Sequence, residues 1–227
     1  MKSGGVNVRE INLNSVADGK YTYDTASSLM KAIQAFDTNT YIHSIKVANL
    51  AYLIGSRMRL SENVCRNLFL GGLLHDIGKL GVPGHILNKK AKLTEEDYSL
   101  IKAHPQIGHE ILNVSIFQEK EIELMALYHH ERVNGSGYPS GLTGDTIPIS
   151  AKIIAVADVY DAMTADRSYR SALTHENAMR HLLDNGDVLY DRNVIQAFRE
   201  AIEDNSRNLF DKNFSKDVTR MGRRCAE

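Results

Sequence analysis

The sequence predicts an all-α fold, and three observations carry that prediction. From Ala26 onward apolar residues recur at helical spacing, and four of the runs open on a side chain suited to N-capping: Thr40, Ser61, Thr94 and Thr174. The one segment whose periodicity fits strand and helix alike, 149–165, has the length and alanine content of a helix.

The elements follow in order. Residues 1–25 are polar, rich in Gly, Asn and Ser, and read as an N-terminal arm. Leu29, Ile33 and Phe36 mark a first helix, and Tyr41, Ile45, Ala48, Tyr52 and Met58 a second, with Thr40 as its expected N-cap. Ser61 caps a third, which carries Val64, Leu68, Leu70, Leu73, Leu74 and Ile77 until Gly78 to Gly81 and Pro83 stop it. After a basic connector, Thr94-Glu95-Glu96-Asp97 is an N-cap with an acidic first turn; that helix ends before Pro105. Helices are expected over 106–112 and 119–130. A glycine-rich loop over 134–148 is too long for a simple connector. Helices at 149–165, 175–183 (capped by Thr174) and 194–202 complete a body spanning 26–204. The tail, 205–227, has six Lys or Arg against three acids and no apolar period.

Composition excludes several function classes. The chain of 227 residues is 43% hydrophobic and 24% charged, the mix of one globular domain. Its 27 basic and 28 acidic residues give a charge of -1, so no global field draws DNA, RNA or an anionic membrane. Cys65 and Cys225 lie in no metal-spacing or redox motif, no apolar run approaches the roughly 18 residues of a membrane span, and the start lacks a signal-peptide core. A cytoplasmic protein is expected.

Nine histidines are present without tryptophan, and seven lie between His43 and His130. His75 and Asp76 point about 100° apart on a helix and can surround one centre, with Lys79 one turn on. His104 stands before Pro105 at a helix end, His129 and His130 at another, and Asp158 is an acid inside an apolar helix. An unpaired charge there would cost several kcal/mol. Imidazole and carboxylate without thiolate suit Fe, Mn, Zn or Ni better than Ca or Cu(I). Two such metals roughly 3.5–4 Å apart lower the pKa of water and polarise a phosphoryl oxygen, which is the chemistry of phosphodiester hydrolysis.

Together, His75-Asp76-Ile77-Gly78-Lys79, His104-Pro105, His129-His130-Glu131 and Gly137-Tyr138-Pro139 resemble the HD-GYP family of bacterial cyclic dinucleotide phosphodiesterases, a subgroup of the HD phosphohydrolases. The likeness runs from about Asp37 to about Phe198. It implies a binuclear centre of divalent transition metals, Fe or Mn foremost and Zn, Ni or Co as alternatives. His43, His75, Asp76 and Asp158 would surround one metal, and Asp76 would bridge to a second held by His104, His129 and His130. It also implies that Asp76 and Lys79 are catalytic, that Lys79, Tyr138, Arg167 and Arg170 bind substrate, and that Glu131 and Asp161 support the centre. Asn39 stands where some members carry a glutamate ligand for a third metal, which favours two metals.

The implied reaction is hydrolysis of cyclic di-GMP to linear pGpG, with a second cut to GMP open, by water activated at the metals. The alternatives are a cyclic di-GMP binding effector of weak turnover, favoured by Asn134 where the family usually has Asp, and a phosphodiesterase for cyclic GMP-AMP. The implied partners are the cyclic dinucleotide and a diguanylate cyclase docked through the Gly-Tyr-Pro loop, with a homodimer open. His85, His109, His175 and His181 are read as ordinary residues.

Overall fold

The computed structural model of the protein describes residues 17–87, 89, 91–113, 120–166 and 171–205. Ten α-helices are present among them: α1 (Ala17–Phe36), α2 (Thr38–Arg57), α3 (Glu62–Leu74), α4 (Gly84–Leu87), α5 (Glu95–Lys102), α6 (His104–Leu112), α7 (Lys120–Tyr128), α8 (Ile149–Thr164), α9 (His175–Asp184) and α10 (Arg192–Asn205). Two 3-10 turns, Ile77–Gly81 and Gly144–Thr146, interrupt the series. No strand occurs among the described residues; the backbone bridges Asn134 to Thr143 and Gly186 to Tyr190 are isolated. None of these helices is long and apolar enough to cross a membrane.

Helix α8 is the axis of the fold because it is apolar nearly all round, with Ala151, Ile153, Ile154, Val156 and Ala157 buried. Helices α2, α3, α7, α9 and α10 pack around it. Val47, Ala48 and Ile54 of α2, Leu68 and Leu74 of α3, Leu182 of α9 and Phe198 of α10 share one core with it. Helices α2 and α3 approach so closely at Gly72 that a Cβ there would lie 2.5 Å from Ala48 Cα. That approach sets the distance between the helix that carries His43 and the one that ends at His75.

Side-chain capping fixes the starts of four helices. Ser61 Oγ accepts from Val64 N, Thr94 and Asp97 form a reciprocal capping box, and Thr174 caps α9, as expected. At α2 the cap is Asp37 and not Thr40. Asp37 is extended (φ -152°), and its carboxylate accepts from Asn39 N and Thr40 N and from the Thr40 hydroxyl. An ionised acceptor at the true break in the chain prevails over a threonine one turn inside.

Four further boundaries differ from expectation. Helix α1 starts at Ala17, within the segment read as an arm, because Tyr23 continues the stripe of Ala26, Met30 and Ile33 by one turn. Helix α3 ends at Leu74, so Asp76 and Ile77 lie beyond it and the chain tightens into the 3-10 turn. His104 opens α6 and does not close α5, with Pro105 in the first turn, where a missing N-H costs nothing. The connector after Pro83 holds the single-turn α4, whose Ile86 is buried.

Candidate metal centre

The ends of α3 and α7, the start of α6 and inward faces of α2 and α8 converge on one pocket of histidine and aspartate. His43 comes from α2, Asp158 and Asp161 from α8, and His75 and Asp76 from the end of α3. His104 comes from the start of α6, and His129 and His130 follow α7. Gly78 brings the α3 end against α6, since a Cβ at this position would stand 1.9 Å from the His104 carbonyl oxygen.

Three sets of ligand atoms form, each within 4.8 Å of one another: His43, His75 and Asp158; His104, His129 and His130; and, linking the first two, His75, Asp76 and His129. Asp76 stands between the first two. Its Oδ1 is 3.3 Å from His104 Nε2, while Oδ2 is 3.4 Å from His75 Nε2 and 3.8 Å from His43 Nε2. A carboxylate with one oxygen toward each set is placed to bridge two cations.

The imidazoles are held in the tautomer that a metal requires. Nδ1 of His75 donates to the Gly72 carbonyl (2.8 Å), that of His104 to Ile101 (2.7 Å) and that of His129 to Ala126 (2.8 Å). A ring whose Nδ1 donates in this way is set to offer Nε2 to a metal. His75 Nε2 is buried and has no hydrogen-bond partner. The Nε2 atoms of His104 and His129 face one another at 3.3 Å, two acceptors without a proton to share. Buried polar groups left in that state are costly. Cations held by the two sets would satisfy all three, so these residues fit a metal centre.

Protonation follows the same logic. Burial, reinforced by the neighbouring imidazoles, holds His129 well below the usual histidine range, and burial chiefly pushes His130 down to about 3. His104 is lowered too, mainly by burial. Burial opposes ionisation of Asp76, but its neighbours, the Lys79 ammonium foremost, outweigh it and hold the carboxyl well below its ordinary value. Asp158 is lowered in the same way by His43 against its burial. His43 is the exception. Burial opposes its charge, yet hydrogen bonds to Asp158 and Asp161 and the field of Asp76 raise it to about 9. A cation at Nε2 would replace that proton.

Asp161 accepts from His43 Nδ1 at 2.7 Å and leaves Nε2 turned toward Asp158 at 3.0 Å. This is the arrangement by which a carboxylate fixes the orientation of a ligating imidazole. Lys46, one turn after His43, lies 3.5 Å from the other Asp161 oxygen, a contact that reading by motif missed although the i, i+3 spacing announces it. Asp161→Asn is expected to weaken metal binding about 10- to 100-fold while the protein stays folded. Metal titration followed by isothermal calorimetry, alongside circular dichroism, checks this.

Lys79 Nζ lies 2.5 Å from Asp76 Oδ2 at the rim of the pocket. The Tyr138 ring is half-buried and stacked on His130, with centroids 4.7 Å apart at 25°. Arg167 and Arg170 lie outside the described residues.

Glu131 does not reach a ligand histidine. Its buried carboxylate accepts from Ser140 N (2.7 Å) and Leu142 N (3.0 Å), so it ties down the Gly-Tyr-Pro loop. Two further devices fix that loop. Asn134 Oδ1 accepts from Ser136 N and Oγ, an Asx turn for which the amide oxygen serves as well as a carboxylate. Gly137 packs so tightly on residues 131–132 that a Cβ would lie 2.4 Å from Arg132 N. Glu131→Ala would strand two amides and is expected to cost about 2–4 kcal/mol. Limited proteolysis, with new cleavage between 135 and 144, is the measurement.

Against known proteins, residues 20–194 match the HD domain family. The chain is 40% identical over 177 residues to the cyclic di-GMP phosphodiesterase response regulator RpfG of Xanthomonas campestris pv. campestris, covering 77% of this chain and 46% of that protein. It is 38% identical over 159 residues to the 3'3'-cGAMP-specific phosphodiesterase 1 of Vibrio cholerae, covering 69% of this chain and 37% of the relative. The chain thus spans less than half the length of either relative. Among solved structures, the cyclic GMP-AMP specific phosphodiesterase V-cGAP3 of V. cholerae superposes with a TM-score of 0.64 at 20% identity, over 87% of this chain and 53% of that one. The helical frame, and the His-Asp pair that it delivers to a pocket of imidazoles, are accounted for together: the chain belongs to the HD domain family.

Proposed function

We propose that the protein is a metal-dependent phosphodiesterase that hydrolyses cyclic di-GMP to linear pGpG. The observation that carries this reading is Asp76 set between two ligand clusters in which the Nε2 atoms of His75, His104 and His129 are turned inward with no protein donor. The relatives' activities on cyclic dinucleotides supply the substrate class.

His43, His75, Asp76 and Asp158 would hold one divalent ion, and His104, His129 and His130, with Asp76 shared, the second. Fe or Mn matches this imidazole and carboxylate set best. Bound there, the ions supply Lewis acidity toward a phosphoryl oxygen and acidify water. The protein's own groups do the rest. Asp161 orients His43, the ionised Asp76 and Asp158 offset the cations' charge, and Lys79 brings an ammonium to the rim where negative charge grows on the phosphoryl oxygens. Tyr138, stacked on His130, closes one wall against water. Arg167 and Arg170 are proposed to meet the phosphates or guanines. The Gly-Tyr-Pro loop, held rigid by Glu131, offers a diguanylate cyclase a fixed surface. A cytoplasmic site of action suits an intracellular signalling nucleotide.

The test is metal analysis of the purified protein followed by hydrolysis assays with Mn(II) or anaerobic Fe(II). Two metal equivalents and release of pGpG support the proposal; full occupancy and nucleotide binding without product would favour the effector reading. The V. cholerae relative specific for 3'3'-cGAMP motivates a second substrate in the same assay. A higher kcat/KM for cyclic GMP-AMP would transfer the assignment to that nucleotide.

A further inference from the structure

Beside the metal centre, and outside its ligand set, lies an open depression of ≈ 400 Å³ walled by α5 and the turn before it. Glu95, Tyr98, Ser99 and Lys102 line it, and their spacing places them on one face of that helix. Tyr98 is 51% exposed, unusually open for so large a ring. Lys102 Nζ lies over the Tyr98 ring at 5.1 Å and over the Tyr138 ring at 5.3 Å, and Tyr138 is stacked on His130. A continuous path of contacts therefore leads from the depression to a metal-ligating histidine.

The polarity of this face is ordered. Lys102 has no carboxylate within ion-pair distance among the described residues, so its ammonium is held by two aromatic faces and keeps its donors for a ligand. Glu95 stands at the other end, seven residues or roughly 10 Å away along the helix axis, with its carboxylate in no ion pair among the described residues. Between the two is the exposed face of Tyr98. An anion-binding group near the metals, an aromatic platform and an acceptor beyond it match one nucleotide: phosphate, base face and the donor edge of guanine. Adenine lacks the adjacent pair of N-H donors that a carboxylate can accept.

We propose that Lys102, Tyr98 and Glu95 form a nucleotide subsite that seats the half of the substrate not being cut and prefers guanine there. The inference rests on the phosphodiesterase reading above. Lys102 holds the phosphate that stays intact, Tyr98 stacks its base, and Glu95 reads the guanine edge.

The test compares wild type, Tyr98→Ala, Lys102→Met and Glu95→Gln as Mn(II)-loaded protein. The readout is the ratio of kcat/KM for cyclic di-GMP to that for bis(p-nitrophenyl) phosphate, a diester without a base, so that any change at the metals cancels. Loss of one stacked base predicts a fall of about tenfold or more in that ratio for Tyr98→Ala, carried by KM. Lys102→Met is expected to fall similarly, and Glu95→Gln to lose preference for cyclic di-GMP over cyclic di-AMP. Unchanged ratios in all three variants, with cyclic di-GMP cleaved by wild type, would overturn the subsite and leave the phosphodiesterase intact. A wild-type protein that cleaves the nitrophenyl diester but not cyclic di-GMP overturns both.

Discussion

Asp76→Asn is expected to lower phosphodiesterase turnover by at least ~1,000-fold, about 4 kcal/mol of transition-state stabilisation, and to reduce bound metal from two equivalents to one or none. The size of the effect follows from position. Each Asp76 oxygen faces a different ligand set, at 3.3 Å on one side and 3.4 Å on the other, so among the described residues no other carboxylate is placed to supply the proposed bridging charge. Asp158 serves the His43 side only. The amide keeps the shape, and Lys79 can still meet its oxygen, so the fold is expected to survive with a melting temperature near that of the metal-free wild type. Removing metal from wild type with a chelator should reproduce the activity loss, and re-adding Mn(II) should restore activity to wild type but not to the variant. Activity retained within tenfold in Asp76→Asn would remove the bridging role and with it the binuclear reading.

Much of this site was legible in the chain because its chemistry is carried by rare residue types on an otherwise apolar background. His43, His75, His104, His129, His130 and Asp158 stand out as polar groups where helix periodicity calls for core, and the fold gathers all six with Asp76. Residues whose work is positional were less legible. Glu131 follows two histidines and so reads as their helper, whereas its partners are backbone amides 9 and 11 positions away, which no side-chain pattern reveals. Tyr98 and Lys102 resemble an ordinary amphipathic helix face until Tyr138, distant in sequence, is brought against them. Helix interiors were likewise easier than ends. The α2 cap lay three residues before the expected Thr40, because a carboxylate at the break in the chain competes better for free amides than a hydroxyl within it.

Gly78 is where the fold and the site depend on one missing atom. A Cβ there would meet the His104 carbonyl oxygen at 1.9 Å and Gly108 N at 2.5 Å, both backbone atoms that no rotamer change can move. Accommodating alanine requires α6 to shift bodily from the turn after Asp76, and α6 is held by buried Leu112 and by packing on α7. The expected cost is about 3 kcal/mol or more, at the upper end of overpacking effects, because the obstruction is backbone. The consequence for chemistry is specific. His104 moves with α6 while His43, His75 and Asp158 stay on α2, α3 and α8, so the gap from Asp76 to His104 opens and the other ligand set keeps its spacing. Gly78→Ala should therefore lose the metal proposed for His104, His129 and His130 before the one proposed for His43, His75 and Asp158. Urea denaturation measures the stability loss, and metal stoichiometry at rising Mn(II) measures the order of occupancy. Retention of both equivalents with wild-type affinity would mean that the contact between this turn and α6 does not set the geometry of the centre.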